Sequence, residues 1–137
     1  MFELTARYAS GWNMAGGGAN PVRIREQYDG FAAACRAVGR NIKDFDVCKM
    51  SYVGVAPDAA SARAMLDELA TSRNTTPAAL TEQMVIATPN AIADRLRILT
   101  DIGINHHIFW IPKSEQWPNY RDAVEFLARE VIPRVRA

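Results

Sequence analysis

The sequence has little of what marks several common functional classes. It contains only two cysteines and two histidines among 137 residues. Cys35 and Cys48 form neither a CxxC pair nor a zinc-ligand spacing, so a disulfide framework and a zinc site have no support. We expect each cysteine to be a small buried hydrophobic side chain in a reducing compartment.

Charge of one sign and long apolar runs are also lacking. The net charge is +1, from 16 basic and 15 acidic residues. No Lys/Arg run stands out, so neither nucleic acid nor a membrane surface is an expected partner. No stretch has the apolar length of a membrane span, and the first residues do not resemble a signal peptide. We therefore expect one cytoplasmic domain over residues 1–137.

What the sequence does contain is clearest in the unit from Thr88 to Ile111. Thr88 is a suitable helix N-cap whose hydroxyl can accept a first-turn amide, and Pro89 suits the first helical position. Gly103 suits the helix end. The apolar stripe between them is Ile92, Leu96, Leu99 and Ile102. Residues 104–111 then read as a strand that is apolar on both faces, which predicts a buried strand of a parallel sheet.

The same alternation of strand and helix extends to the rest of the chain. Strands are predicted at 12–14 and 45–55, and a short helix is predicted from Thr76-Pro77 to about Met84. The clearest helical face comprises Ile24, Tyr28, Phe31, Cys35 and Val38. Alternation of this kind predicts an α/β fold with three parallel strands. Because an open three-stranded sheet has two unpaired edges, we expect part of something larger or a self-associating protomer.

Five segments carry a resemblance to the luciferase-like, flavin-dependent monooxygenase family. They match, in the family's order, its "AxxADGW" stretch, its "C-x-x-x-G-R" helix end, its "GTP" helix start, its entry to the last strand and its terminus. The segments are residues 4–13, 35–40, 87–89, 101–106 and 130–134. Two residues depart from the family pattern, Ser10 where Asp is usual and Ala87 where Gly is usual.

The resemblance implies a partial TIM barrel made of the last three βα units. It also implies a flavin- or deazaflavin-dependent oxidoreductase or monooxygenase that uses FMN or the deazaflavin coenzyme on a small-molecule substrate. A complete barrel needs eight strands, so a companion N-terminal half-barrel chain, or the missing part of a disrupted gene, would supply the rest. The alternative is a non-catalytic half-barrel module that oligomerises and binds at most an anion.

In a barrel, the chemistry lies at the carboxyl ends of the strands. Residues 12–19, 54–58 and 110–115 would converge there. The first segment contains Gly16, Gly17 and Gly18, whose backbone could approach a phosphate closely beside the next helix N-terminus. Arg23 and Arg25 lie in the first turns of that helix, where cations are unfavourable without a nearby anion. The alternative is a flexible loop with two solvated arginines.

Trp12 and Trp110 are candidates for lining an apolar pocket that stacks on a flavin ring, with Asn13 beside Trp12. The alternative is that both are core aromatics at strand ends. His106 and His107 are adjacent in a strand, so they point to opposite faces and cannot chelate a metal together.

The loop after the last predicted strand offers Lys113, Ser114 and Glu115 to a substrate, or simply exposes them to solvent. No convincing acid–base set is present among these candidates. This suits a flavin enzyme, in which the cofactor carries the redox chemistry and the protein supplies binding and orientation.

Overall fold

The computed structural model describes residues 1–15 and 18–136, the Arg136 side chain excepted. The helices are α1 (Phe2–Tyr8), α2 (Pro21–Ala37), α3 (Ala59–Ser72), α4 (Pro77–Thr81), α5 (Pro89–Ile102), α6 (Tyr120–Glu130) and α7 (Ile132–Arg136). The strands are β1 (Gly11–Met14), β2 (Asp46–Val55), β3 (Met84–Ala87) and β4 (His106–Trp110), and a 3₁₀ turn spans Ile42–Asp44. None of the described helices is long and apolar enough to cross a membrane.

The sheet is parallel and is built around β2. Strand β4 pairs with β2 from Cys48 to Tyr52 on one side. On the other side β1 pairs with the first part of β2, from Asp46 to Lys49, and β3 pairs with the last part, from Tyr52 to Val55. The predicted α/β class with a parallel sheet is confirmed. Strand β3 was not predicted, because the short helix was expected to extend to about Met84 and residues 85–87 were assigned to no strand.

The two faces of this sheet have different surroundings. Helices α2, α5 and α6 pack on one face, here called the helix face. Its residues are Trp12, Met14, Val47, Lys49, Ser51, Val53, Val55, His107 and Phe109. The opposite face, here called the open face, consists of Asn13, Cys48, Met50, Tyr52, His106, Ile108 and Trp110. Of the described helices, α3 packs against its carboxyl end, where Gly54 lies beside Met65.

The helices that cover the helix face begin and end close to the positions that the sequence predicts. The Asn20 side chain accepts the Val22 amide at the start of α2. Gly103 ends α5 in the left-handed region, and a Cβ there would clash with the Tyr28 ring. Thr88 is the N-cap of α5, but the predicted hydrogen bond from a first-turn amide to its hydroxyl is not formed.

Two further predictions were wrong. Strand β4 is not buried on both faces, because Ile108 is 44% exposed and Trp110 is 58% exposed. Its apolar side chains alternate between the helix face and the open face, and only the helix face is covered along its length. The apolar residues from Ala123 to Ile132 predict one final helix, but the structure divides it after Glu130, since Pro133 has no amide hydrogen to continue the helical bonding.

Candidate functional site

The carboxyl ends of the strands are joined by direct hydrogen bonds. The Trp117 indole donates to the Val55 carbonyl at 2.6 Å, which ties the loop after β4 to the end of β2. The Glu115 amide donates to the Glu68 carboxylate at 3.0 Å. At the end of β1, the Ala19 amide donates to the Glu82 carbonyl at 2.9 Å. The loops after β2 and β4 therefore meet, and the end of β1 meets the segment between α4 and β3.

Trp12 and Trp110 do not line one pocket in this structure. Trp12 is the register partner of Val47, and Trp110 is the register partner of Tyr52, so the two indoles lie on opposite faces of the sheet. Trp12 packs among aromatic rings on the helix face, with its centroid 4.6 Å from that of Phe31. This is the placement of a core aromatic.

Trp110 belongs to an exposed apolar surface on the open face. Its ring centroid lies 5.9 Å from that of Tyr52, and Ile108, two residues earlier in β4, lies on the same face of the sheet. Asn13 is exposed on this face too. Aromatic rings and aliphatic side chains of this kind suit a flat conjugated ligand. Among the described residues, these side chains could supply one wall for such a ligand.

The glycine-rich segment is described only in part, since Gly16 and Gly17 lie outside the described residues. Gly18 has φ +58°, and a Cβ there would clash with the Glu82 carbonyl oxygen. A turn and a close approach to the protein's own backbone therefore account for this glycine.

The two arginines of the predicted phosphate site have different positions. Arg25 reaches the last turn of α5, where its guanidinium donates to the Asp101 carbonyl at 3.5 Å. A cation is favourable at that helix end, so Arg25 has a structural partner. Arg23 is exposed on the first turn of α2.

The histidines point to opposite faces as predicted. His107 lies beneath α5, with its Nε2 3.4 Å from the Thr100 hydroxyl, and its buried Nδ1 has no partner among the described residues. Burial lowers the pKa of His107, and the neighbouring His106 lowers it further. In the loop after β4, Ser114 is buried and its hydroxyl accepts the Trp117 amide at 3.2 Å.

Two cations that sequence reasoning did not select lie on the helix-face side of the sheet, Lys49 on β2 and Arg95 on α5. Lys49 is 2% exposed, and its ammonium donates to the Met50 carbonyl at 2.6 Å. Burial lowers the pKa of Lys49, and the nearby Arg95 guanidinium lowers it further. The signal in the sequence was a lysine on the same side of a strand as Val47 and Val53. No cluster of metal-ligating side chains occurs among the described residues.

Solved structures share this fold, although no family model and no curated protein matches the sequence. The coenzyme F420-dependent tetrahydromethanopterin reductase of Methanopyrus kandleri superposes with a TM-score of 0.71 at 13% identity, over 98% of this chain and 48% of its own. An F420-dependent secondary alcohol dehydrogenase superposes with a TM-score of 0.73 at 16% identity, over 99% of this chain and 46% of its own. The EDTA monooxygenase of Chelativorans sp. BNC1 superposes with a TM-score of 0.69 at 14% identity, over 98% of this chain and 43% of its own.

The chain thus spans less than half the length of each of these three structures. They are luciferase-like TIM-barrel proteins, as the sequence motifs predicted, and the shared part includes nearly every residue of this chain. The predicted fold is confirmed. The chain has the fold of part of the TIM barrel of these structures.

Proposed function

We propose that the chain is the C-terminal part of a flavin- or deazaflavin-dependent oxidoreductase or monooxygenase. The observation that carries this proposal is the shared fold, which extends over 98–99% of the chain and includes neighbours whose names specify F420 dependence or monooxygenase activity. The five luciferase-like sequence motifs support it independently.

The rest of the barrel would be supplied by a companion N-terminal half-barrel chain. In the described sheet, the edges where further strands would pair run along β1 and β3 on one side and along β4 on the other. The exposed apolar side chains of the open face would then be buried inside the completed barrel. A reading frame upstream that encodes the missing strands would support this arrangement.

The described residues could contact an isoalloxazine or deazaflavin ring on one of its two sides only. Trp110, Tyr52 and Ile108 would hold one side of the ring and exclude water from it. The bound cofactor would supply hydride transfer or oxygen activation, and a small-molecule substrate would lie over its exposed side. The predicted phosphate contacts from Gly16, Gly17, Gly18, Arg23 and Arg25, like the ring contacts from Trp12 and Asn13, stay predictions.

Calorimetric titration of the purified chain with FMN, and separately with F420, tests the proposal. We expect saturable heat that decreases when Trp110 is changed to Ala and when Arg23 and Arg25 are both changed to Ala. The matched control changes two exposed arginines of α6, Arg121 and Arg129, to Ala and should bind as the parent does. No heat from either cofactor with a folded sample would show that this chain alone holds neither.

The second candidate is a non-catalytic half-barrel module that associates through the open face and binds at most an anion. The exposed apolar side chains of that face favour self-association. Sedimentation velocity separates the two candidates. A stable oligomer that is lost on changing Ile108 to Asp, without cofactor binding, would support the module.

A further inference from the structure

Arg95 is a half-buried cation on α5 that has no acidic partner in the part of the chain that the structure describes. The nearest acidic residue along the helix, Asp94, is paired with Arg97 at 2.6 Å. Burial lowers the pKa of Arg95, because the surroundings disfavour its charge. A partly desolvated guanidinium normally has an anion beside it, so the position of this side chain indicates an anionic ligand.

The sheet leaves a gap next to this part of α5. Strand β1 pairs with β2 only as far as Lys49, and β3 begins opposite Tyr52. Residues 50 and 51 of β2 therefore have neither of these strands beside them. A small cavity lies at the gap, between the sheet and the apolar side of α5. Its polar lining in the described structure comes from Ser51, Gln83 and Arg95.

These three polar side chains converge on the cavity without bonding to one another. Among the described residues, none of them makes a side-chain hydrogen bond. A guanidinium, a hydroxyl and a carboxamide share one capacity, since each can donate to an oxygen acceptor. The polar side of the cavity is therefore suited to a group with accepting oxygens.

The cavity continues into an open groove that is mostly apolar. The enclosed part has a volume of about 20 Å³, which holds roughly one oxygen-sized atom. Ala19, Val85 and Arg95 line both this part and the groove, which has a volume of about 340 Å³. The groove follows all four residues of β3 and reaches Ala91, one turn before Arg95 on α5. Arg95 is the one charged residue in its described lining.

The two parts of this lining together indicate one class of ligand. The two oxygens of a carboxylate match the planar fork of the Arg95 guanidinium, and Ser51 can donate to one of them. A phosphate would bring further charged oxygens against apolar side chains, at a cost in desolvation. An aliphatic chain attached to the carboxylate would instead bury apolar surface against Val85, Ala87 and Ala91.

We propose that the cavity and groove beside Arg95 bind a small aliphatic monocarboxylic acid. Arg95, Ser51 and Gln83 hold its carboxylate, and its chain lies along β3 toward Ala91. Of the proposed cofactor wall, Trp110 and Ile108 line neither space, and Tyr52 borders only the small cavity. The site therefore does not rest on the proposed cofactor function.

Titration of the nitrogen-15-labelled 137-residue chain with hexanoate, followed by amide NMR, tests this site. We expect saturable shifts that include the amides of Gln83, Val85 and Arg95. Hexanol has the aliphatic chain without the charge, and inorganic phosphate has charge without the chain. Each should bind at least about tenfold more weakly than hexanoate, because each lacks one of the two kinds of contact.

Two substitutions test the two parts of the site separately. Arg95→Gln removes the charge-assisted contact and should weaken hexanoate binding at least about tenfold. Ala91→Phe fills the groove from an exposed position of α5 while Arg95 is retained, and should weaken binding by a similar factor. Arg121→Gln changes an arginine of α6 that lines neither space, so this matched control should bind as the parent does. Circular dichroism establishes that each variant is folded.

Several results would overturn the site. One is the absence of saturable shifts up to about 10 mM hexanoate, where even a millimolar site is nearly full. Others are hexanol or phosphate binding as tightly as hexanoate, and hexanoate binding that is unaltered in Arg95→Gln or in Ala91→Phe. Titrations with FMN and F420 keep the two proposals distinguishable. A chain that binds hexanoate but neither cofactor retains this site and loses the cofactor proposal, and the opposite pattern does the reverse.

Discussion

The two faces of the sheet carry similar amounts of apolar side chain, but one face is covered by helices and much of the other is exposed. On the helix face, Val47, Val53 and Val55 are buried beneath α2, α5 and α6. On the open face, Ile108 and Trp110 are exposed at 44% and 58%. Because the strands themselves are the same, the difference lies in what covers them. The helix face is a covered core, whereas the apolar side chains of the open face are left uncovered by the described residues.

The largest expected contrast is between core truncations on the two faces. Phe31→Ala removes a fully buried ring that contacts Trp12 and Phe45, and should lower the free energy of unfolding by about 3–5 kcal/mol. Ile108→Ala on the open face should lower it by less than about 1 kcal/mol, since the side chain is already exposed. Urea unfolding of both variants measures the difference. Similar losses for the two would mean that the open face is covered in solution.

A smaller difference in stability is expected between substitutions at the two ends of β2 on its open-face side. Gly54 lies under α3, where a Cβ would be 2.8 Å from the Met65 sulfur and 3.1 Å from Ile86 Cγ1. Gly54→Val should therefore cost about 1–3 kcal/mol through overpacking. Cys48→Val, at the uncovered end of the same strand, should change stability by less than about 1 kcal/mol. The Met65→Ala background should recover part of the Gly54→Val loss, and no recovery would argue against this contact.

The smallest contrast concerns pH and the two adjacent histidines. Burial lowers the pKa of His107 below its ordinary value of 6.5 in the folded chain, so the unfolded chain binds more protons between the two pKa values. The free energy of unfolding should thus be highest above about pH 6.5 and should decrease as the pH falls below it. His107→Leu should flatten this decrease between pH 7 and about 5.5, a range above most carboxyl titrations.

His106→Leu is the control for that experiment, because His106 lies on the open face and is exposed. It should retain most of the pH dependence. If the slope were lost in the His106 variant and kept in the His107 variant, the assignment of the two histidines to the two faces would be wrong. Urea unfolding at several pH values measures both slopes.

The helix face was predictable from sequence because its signals are local. Asn20-Pro21 and Gly103 mark helix ends by their own hydrogen bonding and backbone preferences, and the stripe of α2 repeats at helical spacing. These features do not depend on the rest of a barrel, so they appear in the structure as predicted.

The exposure of the open face was mispredicted because the burial of a strand depends on elements that are distant from it in sequence. Ile108 and Trp110 read as buried in an apolar strand, yet none of the described elements covers them. Strand β3 was missed because four residues give too short a pattern to distinguish from a helix end. Lys49 was not selected as a candidate because its burial depends on how the helices pack over the sheet, which the local sequence pattern does not show.

The most direct test of the two-face account uses the two cysteines, since each lies on a different side. Cys35 is fully buried beneath the helix face, where burial also raises the pKa of its thiol, whereas Cys48 is partly exposed on the open face. The measurement is the rate of alkylation of each thiol in the native chain, followed by peptide mass spectrometry. The account predicts rapid labelling of Cys48 and labelling of Cys35 only on unfolding. Equal protection of both thiols in a dilute, monomeric sample would contradict it.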